Sequence, residues 1–405
     1  MDDSSISNPP EATRLRTAAE AGVVIGCAVA FATTVLGILV LVLTGNHPGG
    51  RDFVSYWVAG HAILAHANPY ESAAVLAAER SVGFPADAQS LIMRNAPWAL
   101  PLVMPLGVFG LRAGALVWSL MLVACLLLSV HLLWRMHGSP PGRLQALGYT
   151  FGPALACILG GQTALFPLLG LVLFLRWHRE RPFAAGAALW LCALKPHLFV
   201  PFGVALVLWI VVTRGWRILA GAGTALGLTS AVATALDPGV WHQYAVMMRN
   251  AGIANEFIPC LAVALRFSVS RQAMWIEYVP ATAACVWAAH LFWQRRASWQ
   301  WSTDGAVLML VSVMVAPYAW PTDEAMLIPA LLVAVYSGAS RAELQVLALG
   351  SAAIEAMMLF GATSHSAWFL WTTPFWLGWF LWVRRAVPAA SRARQAAWPL
   401  QAASL

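Results

Sequence analysis

The sequence predicts an all-α integral membrane protein, a bundle of about twelve transmembrane helices with long outer loops. Three observations lead there. Only 10% of the 405 residues are charged and 60% are hydrophobic; a soluble domain carries about 25% charged residues, so lipid has to replace water over much of this surface. The apolar residues fall in runs, the first from Gly22 to Leu43 being a full bilayer crossing. The basic residues stand singly or in pairs between those runs, as topology determinants do.

The elements follow in chain order. A polar cytoplasmic tail, residues 1–20, precedes the first crossing. That run is too long for the apolar core of a cleaved signal, and Thr44-Gly-Asn-His-Pro48 follows it instead of a small-residue cleavage site. A retained first helix with a cytoplasmic amino terminus is expected. Further crossings are expected at about 113–134, 144–159, 163–177, 183–194, 197–213, 217–236, 273–293, 304–318, 325–337, 342–361 and 369–383, several short enough to be tilted or broken. The membrane domain thus covers 21–385, and residues 386–405 form a cytoplasmic carboxy-terminal tail.

Charge agrees with this count. Sixteen of the 24 basic residues fall inside, in groups such as Arg135/Arg143, Arg214/Arg217, Arg295/Arg296 and Arg384/Arg385. The carboxylates Asp52, Glu71, Glu79, Asp87, Asp237, Glu256, Glu277, Asp323 and Glu324 fall on or near the outer side. Chemistry is expected on that side. The first outer loop, 44–112, is too long for a plain connection, and its interrupted apolar pieces predict amphipathic helices at the membrane interface. The second long outer loop, about 237–272, carries Trp241, Tyr244, Met247 and Met248 at helical spacing.

Several classes are excluded or left without support. The net charge of +7 is spread as topology signals, not gathered into a basic patch interleaved with aromatics, so no nucleic-acid partner is expected. Five of the six cysteines lie in apolar runs, with no CxxC or Cys/His spacing, so they are packing residues; no metal site and no cofactor is expected. His61 and His66 lack a third ligand at useful spacing and are read as packing.

Four candidates carry chemistry, each with a plainer alternative. Asp52 stands at the membrane boundary in Gly50-Arg-Asp-Phe-Val-Ser-Tyr-Trp, where it is either a general base or a cap of the helix that follows. Lys195, the only lysine, sits in the apolar run Trp190 to Phe202; it either binds an anion, with His197 and Arg266, or snorkels to the interface. Gln162 follows Gly160-Gly161 as a ligand or as part of a tight turn. Asp323-Glu324 holds acceptor hydroxyls or a cation, or caps a helix. Glu355 is buried in the eleventh crossing without an assigned role.

The pattern Asp52-x-x-x-Tyr56-Trp57-x-Ala59-Gly60, followed by Asn68-Pro69-Tyr70, resembles the opening signature of glycosyltransferase family 87. Asn95-Ala-Pro97-Trp-Ala-Leu-Pro-Leu is similar to that family's aromatic-Pro-Pro segment, with the usual Tyr-x-Pro-Pro altered. Gly160-Gly161-Gln162-Thr163 resembles its Gly-Gln-Asn turn, with Thr in place of Asn. Gly186 through Lys195-Pro196-His197 and Ala316-Pro317-Tyr318-Ala319-Trp320-Pro321-Thr322-Asp323-Glu324 resemble later segments, so that the likeness covers about 30–340.

The resemblance implies a GT-C-like fold and inverting transfer of mannose or a related sugar from a polyprenyl-phosphate donor to a lipid-linked or envelope glycan. The active face is extracytoplasmic, in the plasma (inner) membrane. Asp52 matches the position of the family's base. Lys195, His197, Arg266 and Gln162 are expected to bind the donor phosphate, and Tyr56, Trp57, Tyr70, Asp323 and Glu324 the acceptor or sugar. The partners are the bilayer, the lipid-linked sugar and the glycan acceptor. A secondary transporter or lipid flippase is the rival reading, weakened by the lack of two matched halves; an inactive scaffold of the same fold is the other.

Overall fold

The computed structural model describes residues 11–85, 90–140, 142–252, 255–359 and 365–386, so half of the expected amino-terminal tail, nearly all of the carboxy-terminal one, and Asp87 lie outside it. Among the described residues all regular structure is helical. Helix α1 (Glu11–Thr44) begins well before Gly22 and ends at Gly45, whose left-handed φ of 73° closes the helix. It lies at the edge of the bundle.

The first outer loop folds on itself as α2 (Gly50–Leu64), α3 (Ser72–Ser81) and α4 (Leu100–Val103). Pro97, Pro101 and Pro105 each remove a backbone donor, which breaks this stretch into 3₁₀ turns on either side of α4. Helix α2 is enclosed by protein, with Phe53, Val54, Ala59 and Ile63 fully buried. It packs on α4 and the turn after it backbone to backbone: a Cβ on Gly60 would stand 2.2 Å from the Val103 carbonyl oxygen, and one on Gly107 would stand 2.4 Å from that of Gly60.

The bundle continues with α5 (Leu111–Met136), α6 (Ala146–Tyr149), α7 (Gly152–Leu159), α8 (Leu165–Trp177), α9 (Pro182–Cys192), α10 (Val200–Thr213) and α11 (Trp216–Leu236). The second outer loop carries α12 (Val240–Asn250) and α13 (Leu261–Val269). The chain then forms α14 (Tyr278–Arg295), α15 (Asp304–Met314), α16 (Ile328–Tyr336), α17 (Arg341–Leu359) and α18 (Thr372–Ala386). Among the described residues, five stretches are long and apolar enough to cross a membrane: Gly26–Thr44, Leu111–Met136, Pro196–Thr213, Trp216–Leu236 and Arg341–Leu359. The other expected crossings fall on helices that are shorter, broken or, as with α14, less apolar. The run 144–159, for example, divides into α6 and α7 around Thr150 and Phe151.

Between apolar helices in lipid, close backbone approach replaces the hydrophobic drive of a soluble core. Helices α9 and α11 show this. A Cβ on Gly186 would lie 1.9 Å from the Ile218 oxygen, and one on Gly221 would lie 2.0 Å from that of Phe183. Gly223 and Gly227, on the same helix, have open space instead. Gly221→Ala is therefore expected to destabilise the folded protein by roughly 1–3 kcal/mol, and Gly223→Ala to leave its stability equal or slightly higher. Thermal unfolding of the detergent-solubilised variants measures both; equal loss in the two would contradict this packing.

Candidate active site

Two glycine pairs from distant parts of the chain bring the site together. Gly49 and Gly50 adopt φ of 72° and 79°, and Gly161 adopts 69°, a region costly for any residue with a Cβ. A Cβ on Gly50 would lie 2.6 Å from the Gly160 carbonyl, and one on Gly161 would lie 2.2 Å from the Gly49 oxygen. Trp118, fully buried on α5, donates from Nε1 to the Gly161 oxygen at 2.8 Å and fixes the turn from its other side. The first turn of α2, which carries Asp52, thus rests against the turn that carries Gln162.

From there a chain of polar contacts runs inward. Lys195 Nζ donates to Gln162 Oε1 at 3.1 Å and to Asp323 Oδ1 at 2.5 Å. With its oxygen accepting from the ammonium, Gln162 also favours the ionised form of the Asp52 carboxyl. Asp323 is fully buried; its second oxygen accepts from the Trp320 backbone N–H at 2.9 Å and so fixes the 3₁₀ turn Pro321–Leu327. Lys195 is 8% exposed at the junction between α9 and the 3₁₀ turn Pro196–Phe199. The order is Asp52, Gln162, Lys195, Asp323: two carboxylates around one ammonium. Burial lifts the Asp52 carboxyl to about 6 and the nearby Asp323 charge adds to the rise, while Lys195 and the Gln162 amide restrain it. A carboxylate poised there accepts a proton near neutrality.

The motifs of the first outer loop hold Lys195 in place. Asn95 Nδ2 donates to the Leu194 oxygen at 2.7 Å and Trp98 Nε1 to that of Ala193 at 2.9 Å. Trp190 Nε1 returns a bond to the Trp98 oxygen at 3.1 Å. Tyr70 is buried and its hydroxyl donates to the Asn95 oxygen at 3.1 Å, so it acts as a brace one step behind the site. Neither Asn95 nor Trp98 was singled out as a site residue, because a side chain that bonds a backbone carbonyl leaves no pattern in the sequence.

The remaining candidates divide. Tyr56 stands one turn beyond Asp52 on the same face of α2, buried against Trp118 with ring centroids 5.3 Å apart. The ring of His197 stacks on Tyr318 at 3.8 Å, and its Nε2 is buried without a hydrogen-bond partner, two residues from the ammonium. Trp57 turns the other way, donating to the Phe109 oxygen at 2.9 Å and stacking on His61. Glu324 points into the bundle, where Thr372 Oγ1 donates to one of its oxygens and Trp376 Nε1 to the other at 2.6 Å. Arg266 is seated against Glu277 at 2.5 Å and the Arg271 carbonyl, holding the second outer loop to itself. Trp57, Glu324 and Arg266 thus bind neighbours that the sequence did not indicate.

His61 and His66 bond the Gly107 and Leu236 carbonyls. Arg51 forms a two-armed pair with Glu79, at 2.9 and 3.1 Å, which ties α2 to α3 beside Asp52. A second two-armed pair, Arg94 with Glu256 at 3.0 and 2.5 Å, joins the first outer loop to the second. Among the described residues no group of three His, Cys, Asp or Glu stands close enough to hold a metal ion.

No curated protein and no solved structure matches the chain. A family model, glycosyltransferase family 87, matches residues 95–317. That stretch contains Asn95, Gln162, Lys195 and His197; Asp52 precedes it and Asp323 follows it. With more than half of its 405 residues matched, on a bundle of apolar helices, the chain belongs to glycosyltransferase family 87.

Proposed function

We propose that this membrane glycosyltransferase moves a sugar, mannose or a related one, from a polyprenyl-phosphate donor to a lipid-linked or envelope glycan, with inversion, on the extracytoplasmic face. The observation that carries the reading is the Asp52–Gln162–Lys195–Asp323 chain, which sets a carboxylate of near-neutral pKa beside a buried ammonium. Asp52 takes the proton of the acceptor hydroxyl as that oxygen bonds to the anomeric carbon. The bond from that carbon to the phosphate oxygen breaks, and its electron pair leaves with the polyprenyl phosphate.

A phosphate leaving group needs no proton, so no second carboxylic acid has to donate one, unlike in glycosidases. What it needs is positive charge where its own gathers. The Lys195 ammonium has three N–H bonds, of which Gln162 and Asp323 take two; the third, together with His197 Nε2, serves the phosphate. Asp323 holds the lysine in place between visits. On this reading the enzyme sits in the inner membrane with both termini cytoplasmic, which the distribution of arginines supports.

Three outcomes follow. Asp52→Asn keeps the shape and removes the proton acceptor, so transfer from a labelled polyprenyl-phosphate sugar is expected to fall about 10²–10⁴-fold with unfolding temperature unchanged. Full activity in that variant would remove Asp52 from the chemistry.

The pH profile supplies the second. Asp52 is a base only when ionised, so kcat/KM is expected to climb with pH, bend near pH 6 and level off above it. A flat profile from pH 5 to 8 would be incompatible with this base.

Lys195→Met removes a charge that holds the Asp52 pKa down. The bend is expected to move to higher pH and the donor KM to rise about tenfold or more. An unchanged KM would rule out phosphate binding by Lys195.

A further inference from the structure

At the end of the bundle away from Asp52 lies a cavity of about 480 Å³ between α14, α15 and α18, within the size range of ligand pockets. Arg295 closes α14, Asp304 opens α15, and Arg384 and Arg385 close α18, so all four stand at one level. The candidate site belongs to the opposite ends of these helices: Asp323 follows α15, and Thr372, which opens α18, bonds the neighbouring Glu324. The arginine-rich end is the one that the distribution of basic residues assigns to the cytoplasm.

The cavity has two kinds of wall. Trp287, Leu291 and Val307 line it deeper in the bundle, together with Phe380 and Leu381. Trp287 and Leu381 are 37% and 42% exposed, which opens this side to the lipid. At the mouth stand three guanidinium groups and one carboxylate. The carboxylate is already satisfied: Asp304 accepts from Arg295 at 2.8 Å and from the Gln300 backbone N–H at 3.0 Å. The Arg384 guanidinium lies over the Phe380 ring, 5.5 Å from its centre, where the cationic mouth meets the apolar wall.

We infer that this cavity binds an anionic glycerophospholipid of the cytoplasmic leaflet. Its phosphate sits among Arg384, Arg385 and Arg295, and its acyl chains run out along Trp287, Leu291 and Leu381. The charge balance favours an anion, planar guanidinium forks fit phosphate oxygens, and basic pockets between helices at this level suit lipid headgroups. The lateral opening onto hydrocarbon is what selects a lipid over a free phosphate. The site lies apart from the Asp52 cluster and stands independently of the proposed reaction.

The test is retention of phosphatidylglycerol against phosphatidylcholine by the full-length protein, taken from an equimolar mixture and counted by native mass spectrometry. Wild type is expected to favour the anionic lipid roughly tenfold, and R384Q/R385Q to lose most of that preference. R384K/R385K keeps the charge without the fork and should retain part of it. Val307→Phe, which fills the apolar wall and leaves every arginine, is expected to lower phosphatidylglycerol retention as well. No preference in wild type would overturn the proposal, as would a full preference in a folded R384Q/R385Q or in Val307→Phe. Displacement by millimolar glycerol phosphate would assign the mouth to a soluble anion and overturn the lipid reading.

Discussion

A single ammonium placed inside a bundle that faces lipid constrains everything around it. Desolvating an unpaired charge costs more than any neighbouring contact returns, and breaking a buried pair costs about 3–5 kcal/mol. The chain meets this at Lys195 with Asp323, and the Gln162 oxygen takes a further proton of the ammonium. Such a pair adds little net stability relative to apolar packing, so its presence in so apolar a protein points to work other than holding the fold. The surrounding structure serves it. Asn95 and Trp98 anchor the backbone just before the lysine, Tyr70 anchors Asn95, and Trp320 fixes the carboxylate from its other side.

The same constraint explains the placing of Asp52. Its helix begins where two glycine pairs touch backbone to backbone, and that contact sets the carboxylate near Gln162 and within the field of Lys195. A Cβ at Gly50 or Gly161 would push the two segments apart and uncouple Asp52 from the lysine. The first outer loop, which joins the membrane helices only at its ends in sequence, is folded on itself by the Gly60–Gly107 approach and held to the bundle by the Gly50–Gly160 approach and by Asn95.

Much of this was legible in the sequence, and the remainder was hidden for identifiable reasons. Composition and run length give a helical membrane protein, because a sparse supply of charge leaves no other solvent than lipid. Asp52, Gln162, Lys195 and Asp323 stand out as polar groups in apolar surroundings, and the structure gathers them. The crossings are harder: the run 144–159 is mostly apolar, yet it breaks at Thr150 and Phe151, just before Gly152, where a Cβ would meet the Ser351 carbonyl oxygen at 2.2 Å. Hydropathy cannot register a contact with a residue so far along the chain. Trp57, Glu324 and Arg266 show the converse limit. Their residue types suit a sugar or a phosphate, but partners on α18, in the 3₁₀ turn 274–277 and at Phe109 take their polar atoms.

One end of the bundle carries Asp52, Lys195 and Asp323, and the other carries Arg295, Arg384 and Arg385 around a cavity. The most direct test is an electron cryomicroscopy map of the protein with a non-transferable polyprenyl-phosphate sugar bound. The proposed mechanism places the donor phosphate on Lys195 and His197, with Asp52 on the face of the anomeric carbon opposite the leaving oxygen. A donor whose phosphate rests elsewhere, with Asp52 facing no part of the sugar, would contradict it.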